Sequence, residues 1–457
     1  MDRMHIFFLA LGPTLGAFIF FALADAGWDA TACWTAAVAV HCAVWWVLEP
    51  VPIPVTSLIP IAAFPLFGVL TPKEVGESYG SPLILLLLGG FILSTAMASS
   101  GAHKRVALTM VTLFGGSSSR RLVFGFMAAS ALLSMWISNT ATTLMLLPVA
   151  LAVLEKAEDK SLAVPLLLGI AYAASVGGIG TPIGTPPNLV FREIYLQTTG
   201  VEIPFLTWMS WGIPVVIIFV PIIGLYLTRH LSYTGNISVP AVGKWQPYEK
   251  RVLLVFGLTA LAWMTRSEPF GGWKTWFDLP GANDASVALI AVVLMFLLPN
   301  GKGGKLLDWE TASRIPWGML ILFGGGIAIA KAFVASGLSV ALGEILSGIA
   351  AWHIVLMVGA ICLAITFVTE LTSNTATTTL MMPVLAAAAI AADMDPALLM
   401  VPAAMSASCA FMLPVATAPN VVVFSSGAFP IRVMAREGVA LNFIGVCIIT
   451  AVCVVML

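Results

Sequence analysis

The stretch at residues 136–143 reads WISNTATT, and it returns almost unchanged at residues 371–378 as LTSNTATT. The two copies lie 373 − 138 = 235 positions apart, and Pro148 and Pro383 keep that separation. Because Ser, Asn and Thr side chains compete for backbone hydrogen bonds, the motif predicts a helix break within each apolar segment. The chain therefore carries an internal repeat with a break at the same position in each copy.

Two further pairs of landmarks flank the motif in the same order. Downstream, GTPPN at residues 184–188 matches ATAPN at residues 416–420, with a separation of 420 − 188 = 232. Upstream, Gly90 matches Gly326, with a separation of 326 − 90 = 236. Proline lacks an N–H and disfavours a helical conformation at the residue before it, so the downstream pair predicts a second break in each half.

The distribution of basic residues indicates how the two halves are oriented. The first repeat carries Lys104, Arg105, Arg120 and Arg121 after its upstream glycines, whereas residues 338–356 contain no Lys or Arg. By the positive-inside rule the first stretch is cytoplasmic and the second is external. The halves are therefore predicted to be inverted-topology repeats, which place a binding site where broken helices meet near the membrane centre.

The composition identifies lipid as the solvent of this fold. Of the 457 residues, 60% are hydrophobic and 9% are charged, and the mean hydropathy is +1.01. Soluble domains carry about 25% charged residues. The net charge of −1, without a basic cluster, also argues against a nucleic-acid partner. We expect an integral membrane protein in a bacterial inner membrane, and no catalytic residue set indicates an enzyme.

Recurring apolar stretches of about 20 residues predict an all-α polytopic membrane fold with about 11 transmembrane helices. Two apolar stretches, Pro82–Ser100 and 317–336, are interrupted by Gly89-Gly90 and by the glycines at 324–326, and we expect them to form re-entrant hairpins. The predicted division is N-terminal helices that are mainly scaffold (1–80), the first repeat (81–205), connecting scaffold helices (206–316) and the second, inverted repeat (317–457).

The motif residues suit two kinds of ligand. Freed carbonyls with Ser and Asn oxygens suit a small hard cation, while the Asn amide, Thr hydroxyl and helix N-terminal N–H groups suit a carboxylate. Neither motif contains Lys or Arg, so bound cations and helix dipoles must balance an anion. The motif occurs once in each half, and two such symmetry-related sites suggest a ligand with two anionic ends. Small polar residues also join helices in membrane bundles, but duplication in inverted halves favours a binding site.

Together with WWVLEPVPIP at residues 45–54, these motifs resemble the divalent anion/sodium symporter family. The resemblance spans most of the chain and is strongest over residues 83–191 and 317–424. It implies a homodimer in the lipid bilayer that moves C4 dicarboxylates such as succinate, fumarate and malate with sodium by an elevator motion. Relatives carry citrate or sulfate, and some exchange dicarboxylates without sodium.

The resemblance also implies two sodium sites and a dicarboxylate site between them. The first sodium site would comprise Ser134, Ser138, Asn139 and Gly184. The second would comprise Thr369, Thr372, Asn374 and Ala416. The substrate would contact Asn139, Thr140 and Thr185 on one side and Ser373, Asn374, Thr375 and Thr417 on the other.

Glu370 leaves a different function open. This acid lies four residues before Asn374, and the residue at the matching position of the first half is Met135. Acids within membrane segments are candidate functional groups, so a cation/proton antiporter with Glu370 as the proton carrier is an alternative. A structural role, in which Glu370 caps or pairs with a neighbour, is equally compatible with the sequence.

Overall fold

The structure is a computed structural model that describes residues 3–114, 118–157, 160–231, 243–341 and 353–457. Within these ranges the regular structure is helical, apart from one isolated antiparallel bridge between Pro299 and Lys305. Among the described helices, 8 are long and apolar enough to cross a membrane, and shorter apolar helices accompany them. The predicted all-α membrane fold is confirmed.

The first half of the chain begins with helices that pack outside the repeat and continues into the repeat itself. The helices before the repeat are α1 (Arg3–Asp25), α2 (Ala30–Leu48), α3 (Ile53–Thr56), α4 (Ile59–Leu66) and α5 (Pro72–Tyr79). The helices of the first repeat are α6 (Pro82–Ser100), α7 (Ala102–Phe114), α8 (Ser119–Ser134), α9 (Asn139–Lys156), α10 (Ala163–Gly177) and α11 (Pro186–Thr199), and α12 (Phe205–Leu227) leads from it to the connecting helices.

Connecting helices and the second repeat complete the described chain. The connecting helices are α13 (Pro247–Met264), α14 (Gly272–Trp276), α15 (Asp284–Leu297) and α16 (Trp309–Ala312). The second repeat contains α17 (Trp317–Ala335), α18 (Ile354–Thr369), α19 (Asn374–Ala391), α20 (Ala397–Ala407), α21 (Ala418–Phe424) and α22 (Ile431–Met456). The starts of α6, α8 and α9 recur at a constant separation, 317 − 82 = 354 − 119 = 374 − 139 = 235, so the sequence repeat is also a structural repeat.

Two separate hydrophobic cores hold the helices together. The smaller core joins α2, α4 and α5 to α17 and contains the fully buried side chains of Trp46 and Phe64. The larger core runs through both repeats. Helix α1 packs along α2 and exposes Phe18 and Phe21, as a lipid-facing helix does. The N-terminal helices therefore meet the repeats mainly through α17.

Helices α12 and α22, which follow the broken helices of the two halves, run in opposite directions. They pack against each other. The Phe219 ring lies against Gly445, whereas Arg229, just after α12, pairs with Glu437 near the start of α22 at 2.7 Å. Residues later in α12 therefore contact residues earlier in α22. The two helices are antiparallel, as inverted repeats require.

In each half, the chain reverses direction at the Ser-Asn-Thr motif. Helices α8 and α10 are parallel, because Gly169 packs on Met127 and Gly177 packs on Ala131 further along both helices. Helix α9 connects the end of α8 to the start of α10, so it must run back beside them. The second half repeats this arrangement, since the Thr369 hydroxyl at the end of α18 lies 3.1 Å from the carbonyl oxygen of Ala407 at the end of α20. The hairpins are therefore α8–α9 and α18–α19.

The breaks predicted at the glycine runs of Pro82–Ser100 and 317–336 are wrong, because α6 and α17 are continuous helices through them. The glycines instead make room for neighbours. A Cβ on Gly89 would lie 2.6 Å from the Cβ of Ala288 on α15, and Gly324 and Gly326 face Tyr79 and Thr379 in the same way. These glycines allow close packing between helices and are not hinges.

Alanine substitution of each of the two adjacent glycines of α6 distinguishes a packing role from a hinge role. We expect Gly89→Ala to lower the stability of the protein by about 1–3 kcal/mol, because the new methyl group overlaps Ala288. Gly90→Ala is the matched control, since nothing lies within 4 Å of the new methyl group, and alanine favours a helix by up to about 1 kcal/mol. Thermal unfolding in detergent measures both changes. Equal destabilisation by the two variants would contradict the packing role.

Candidate functional site

The first hairpin tip concentrates polar groups where two helices end. Helix α8 ends at Ser134 and α9 begins at Asn139, with Ser138 at the N-cap accepting a hydrogen bond from the Ala141 N–H at 3.2 Å. The Ser134 hydroxyl donates to Asn139 Oδ1. The tip therefore holds the Ser134 and Asn139 oxygens together, while the exposed Ser138 serves as the cap that starts the next helix.

The Asn139 side chain also lies beside the non-helical segment between α10 and α11. A Cβ on Gly178 would lie 2.8 Å from Asn139 Oδ1 and 3.1 Å from the carbonyl oxygen of Gly184. Only a glycine at position 178 leaves the space in which these oxygens approach each other. The structure thus brings together Ser134, Asn139 and Gly184, three of the four residues predicted for the first sodium site. Hard oxygen ligands of this kind suit a small cation.

The second tip repeats this geometry with different side chains. Thr369 takes the place of Ser134, and its hydroxyl donates to Asn374 Oδ1 at 2.8 Å. The Thr372 hydroxyl bonds to the Val368 carbonyl and to Thr377 Oγ1, and it has no bond to Thr369 or Asn374 among the described residues. Ala416 is buried and ends the turn Pro414–Ala416 just before α21. Thr369 and Asn374 are therefore joined directly at the second tip.

A buried asparagine fixes each break after the hairpins. Asn188 donates from Nδ2 to the carbonyls of Gly178 and Thr181, at 2.9 and 2.7 Å. Asn420, at the matching position, donates to the carbonyls of Ala410 and Leu413, both at 3.0 Å. Both side chains are fully buried. The sequence motifs include both asparagines, but their role in bridging carbonyls was not predicted. The signal for it was that an asparagine follows the prolines at the same position in each half.

The two halves exchange contacts at the site. Helix α11 of the first half packs on α19 of the second, and α21 of the second half packs on α9 of the first. Thr185 precedes α11 and Thr417 caps α21, so both predicted substrate threonines enter the interface between the halves. Thr140, Ser373 and Asn374 are half-buried beside this interface, and Thr375 is buried. The predicted substrate residues therefore belong to one region between the repeats.

The local field in this region is positive without a basic side chain in the motifs. Helices α9 and α19 both start at the asparagine of their motif, and α11 and α21 start just after Thr185 and Thr417. The N-terminal end of a helix carries a partial positive charge and free N–H groups. The α9 and α19 ends, one from each half, therefore favour an anion near the motifs, whereas α11 begins with Pro186 and Pro187, which have no N–H to offer.

Glu370 lies at the second tip but faces away from the cation ligands. Its carboxylate accepts hydrogen bonds from the backbone N–H groups of Phe411, Met412 and Leu413, at 2.7, 2.9 and 3.1 Å. It also accepts from Asn442 Nδ2 at 2.7 Å. The side chain is buried, with 3% of its surface exposed. Of the two roles that the sequence left open, this geometry supports the structural one.

Comparison with known proteins agrees with the architecture. Residues 43–400 match the family model described as citrate transporter. The chain is 40% identical over 472 aligned positions to the sodium-dependent dicarboxylate transporter SdcS of Staphylococcus aureus strain USA300, covering 97% of this chain and 89% of that protein. SdcS of strain N315 is similar to the same degree.

Two solved structures have the same fold at low sequence identity. The YdaH transporter of Alcanivorax borkumensis aligns with a TM-score of 0.58 at 13% identity, covering 84% of this chain and 87% of that one. MtrF of Neisseria gonorrhoeae, described among antimetabolite efflux pumps, aligns with a TM-score of 0.60 at 13% identity, covering 87% and 83%. At this identity the likeness concerns the fold alone.

Removal of the buried asparagines tests whether they hold the breaks. Asn188→Ala removes the side-chain donor from the Gly178 and Thr181 carbonyls, of which Thr181 keeps a longer bond from the Gly184 N–H at 3.3 Å, and we expect a loss of about 2 kcal/mol in stability. Asn420→Ala should behave alike because its bonds are equivalent. Thr198→Ala on α11 is the control, since Thr198 bonds only to Ile194 of its own helix. Thermal unfolding in detergent reports the change, and an Asn188→Ala midpoint equal to that of the control would refute the role.

Proposed function

The chain belongs to the citrate transporter family and to the divalent anion/sodium symporters that its motifs resemble, and on this premise we propose that it couples the inward movement of a C4 dicarboxylate to sodium. Succinate, fumarate and malate are the proposed substrates, and sodium is the co-transported ion. The membrane is the plasma membrane of a bacterium. The name of the 40% identical relatives, sodium-dependent dicarboxylate transporter, supports this assignment.

The observation that carries the proposal is the duplicated oxygen cluster at the hairpin tips. Each tip holds a hydroxyl and the Oδ1 of the motif asparagine together, as Ser134 with Asn139 and Thr369 with Asn374. In this proposal one sodium ion binds at each cluster, with Gly184 and Ala416 adding backbone carbonyls and with Ser138 and Thr372 completing the two sets. Two cations then balance a dianion held between them.

The proposed order of binding follows from charge. Sodium binds first, because the tips offer acceptor oxygens before any anion is present. The bound cations and the helix ends then make the space between the tips attractive to a dicarboxylate. One carboxylate contacts Asn139, Thr140 and Thr185, and the other contacts the second-half residues Ser373, Asn374, Thr375 and Thr417.

The mobile unit in this proposal consists of the hairpins and the broken helices. These elements pack on each other across the repeats. The N-terminal helices of residues 1–80 form mainly scaffold, as do the connecting helices of residues 206–316. Residues 81–205 and 317–457 provide the two repeats. A homodimer whose scaffolds stay fixed while the loaded unit shifts by an elevator motion is the form we propose.

Two other functions are ranked lower. An exchanger of dicarboxylates, citrate or sulfate would use the same fold, and the sodium dependence named for the 40% identical relatives argues against it. A cation/proton antiporter would need Glu370 as carrier. That carboxylate is buried and already accepts four hydrogen bonds, three at Oε1 and one at Oε2, which argues against its carrying a transported cation.

Uptake of labelled succinate into proteoliposomes tests the proposal. We expect uptake only with an inward sodium gradient, and none when potassium or choline replaces sodium. Asn139→Ala and Asn374→Ala should each reduce uptake about tenfold or more, because each removes a ligand worth about 1.5–3 kcal/mol to a charged group. Thr14→Ala, whose exposed hydroxyl bonds within α1, is the control.

Each negative result has a defined meaning. Sodium-independent uptake that requires dicarboxylate inside the vesicles would identify the exchanger. If succinate does not enter under either condition, the substrate class is wrong, and citrate and sulfate are the next compounds to test. Normal uptake by both asparagine variants would separate the function from the paired tips.

A further inference from the structure

The Glu370 carboxylate ties together three parts of the second repeat. It follows Thr369, whose hydroxyl belongs to the second tip. Its Oε1 accepts from the N–H groups of Phe411 and Met412 and from Asn442 on α22, and its Oε2 accepts from Leu413. Glu370 and Asn442 are both buried. A single charged group thus connects the hairpin, the break after α20 and the closing helix of the repeat.

The segment that Glu370 holds leads directly to the cation ligands. Leu413 precedes the turn Pro414–Ala416, and Asn420 binds the Ala410 and Leu413 carbonyls of this same segment. Glu370 therefore satisfies the N–H groups of residues 411–413, and Asn420 satisfies the Ala410 and Leu413 carbonyls. The Tyr172 hydroxyl of the first half donates to the Phe411 carbonyl at 2.7 Å. Each of these bonds constrains where the Ala416 carbonyl lies.

We propose that Glu370 is a positioning residue of the second cation site: it fixes the segment of residues 411–413 so that the Ala416 carbonyl faces Thr369 and Asn374. This inference rests on the proposed function, because it concerns the sodium site of that transporter. Glu370 acts through the backbone and does not bind the ion, since its carboxylate is directed at the N–H groups of residues 411–413 and at Asn442.

The first repeat has no such charge, so the two cation sites are unequal. Met135 stands at the position of Glu370, and its backbone carbonyl accepts from Thr181. The first break is held by Asn188 and by Trp208, whose Nε1 donates to the Ile179 carbonyl at 2.9 Å. Neutral side chains suffice there. Loss of the Glu370 charge should therefore weaken one sodium site and leave the other intact.

Glu370→Gln is the principal test. The amide keeps one acceptor oxygen but turns an NH2 group towards backbone N–H donors, so the segment of residues 411–413 loses its alignment. We expect the sodium concentration for half-maximal succinate uptake to rise about tenfold or more. The succinate KM at saturating sodium should stay within about twofold, and the cooperativity in sodium should fall. Glu370→Asp keeps the charge and should restore part of the sodium affinity.

Two further variants and a second readout guard against a misfolded protein. Asn442→Ala removes one donor and should shift the sodium dependence less than Glu370→Gln does. Met135→Leu is the matched control in the first half and should leave the sodium dependence unchanged. Stabilisation of the purified protein by sodium chloride over choline chloride, measured as the shift in Tm, should shrink in Glu370→Gln without any transport step.

The outcomes separate this inference from the proposed function. If wild-type uptake and Tm ignore sodium, the proposed function fails. If the wild type depends on sodium while Glu370→Gln and Glu370→Asp keep its half-maximal concentration and its Tm shift, the positioning role is overturned. The role is also overturned if Glu370→Gln lowers only the maximal rate, or if it raises the succinate KM as strongly as the sodium requirement.

Discussion

The freed backbone carbonyls at the two helix breaks need donors inside the protein, and one buried asparagine supplies them in each half. Asn188 bridges the Gly178 and Thr181 carbonyls, and Asn420 bridges those of Ala410 and Leu413. In lipid no water can satisfy these groups, so a break survives only where a side chain replaces the lost helical bonds. The hairpin tips, the positive helix ends and the oxygen clusters are all placed by these bridged breaks.

The two halves form similar helix breaks, but a charged side chain holds only the second of them. The first half holds its break with neutral groups, whereas the second uses Glu370 against three successive N–H groups. Contacts across the repeats, such as the Tyr172 bond to Phe411, join the two breaks into one unit. In the transporter that we propose, these unequal supports give the two cation sites different affinities for sodium.

Sequence reasoning located the repeats, their inversion and the polar breaks, because the Ser-Asn-Thr and proline motifs act through local backbone chemistry. It placed the hairpins wrongly at the glycine runs. A run of glycines is compatible with a hinge and with close packing, and only the neighbour decides; for Gly89 that neighbour is Ala288, far along the chain. The role of Glu370 could not be predicted either. Its partners at residues 411–413 are distant in the sequence and come into contact with it only in the folded second half.

In the proposed transporter, two cations and one dianion share the space between the hairpin tips. A cryo-electron microscopy structure of the protein in lipid nanodiscs with sodium and succinate is the decisive measurement. We predict one ion beside Asn139 Oδ1, another beside Asn374 Oδ1, and the dianion between them. Succinate bound away from both tips, or bound there with no density for a cation at either asparagine, would contradict it.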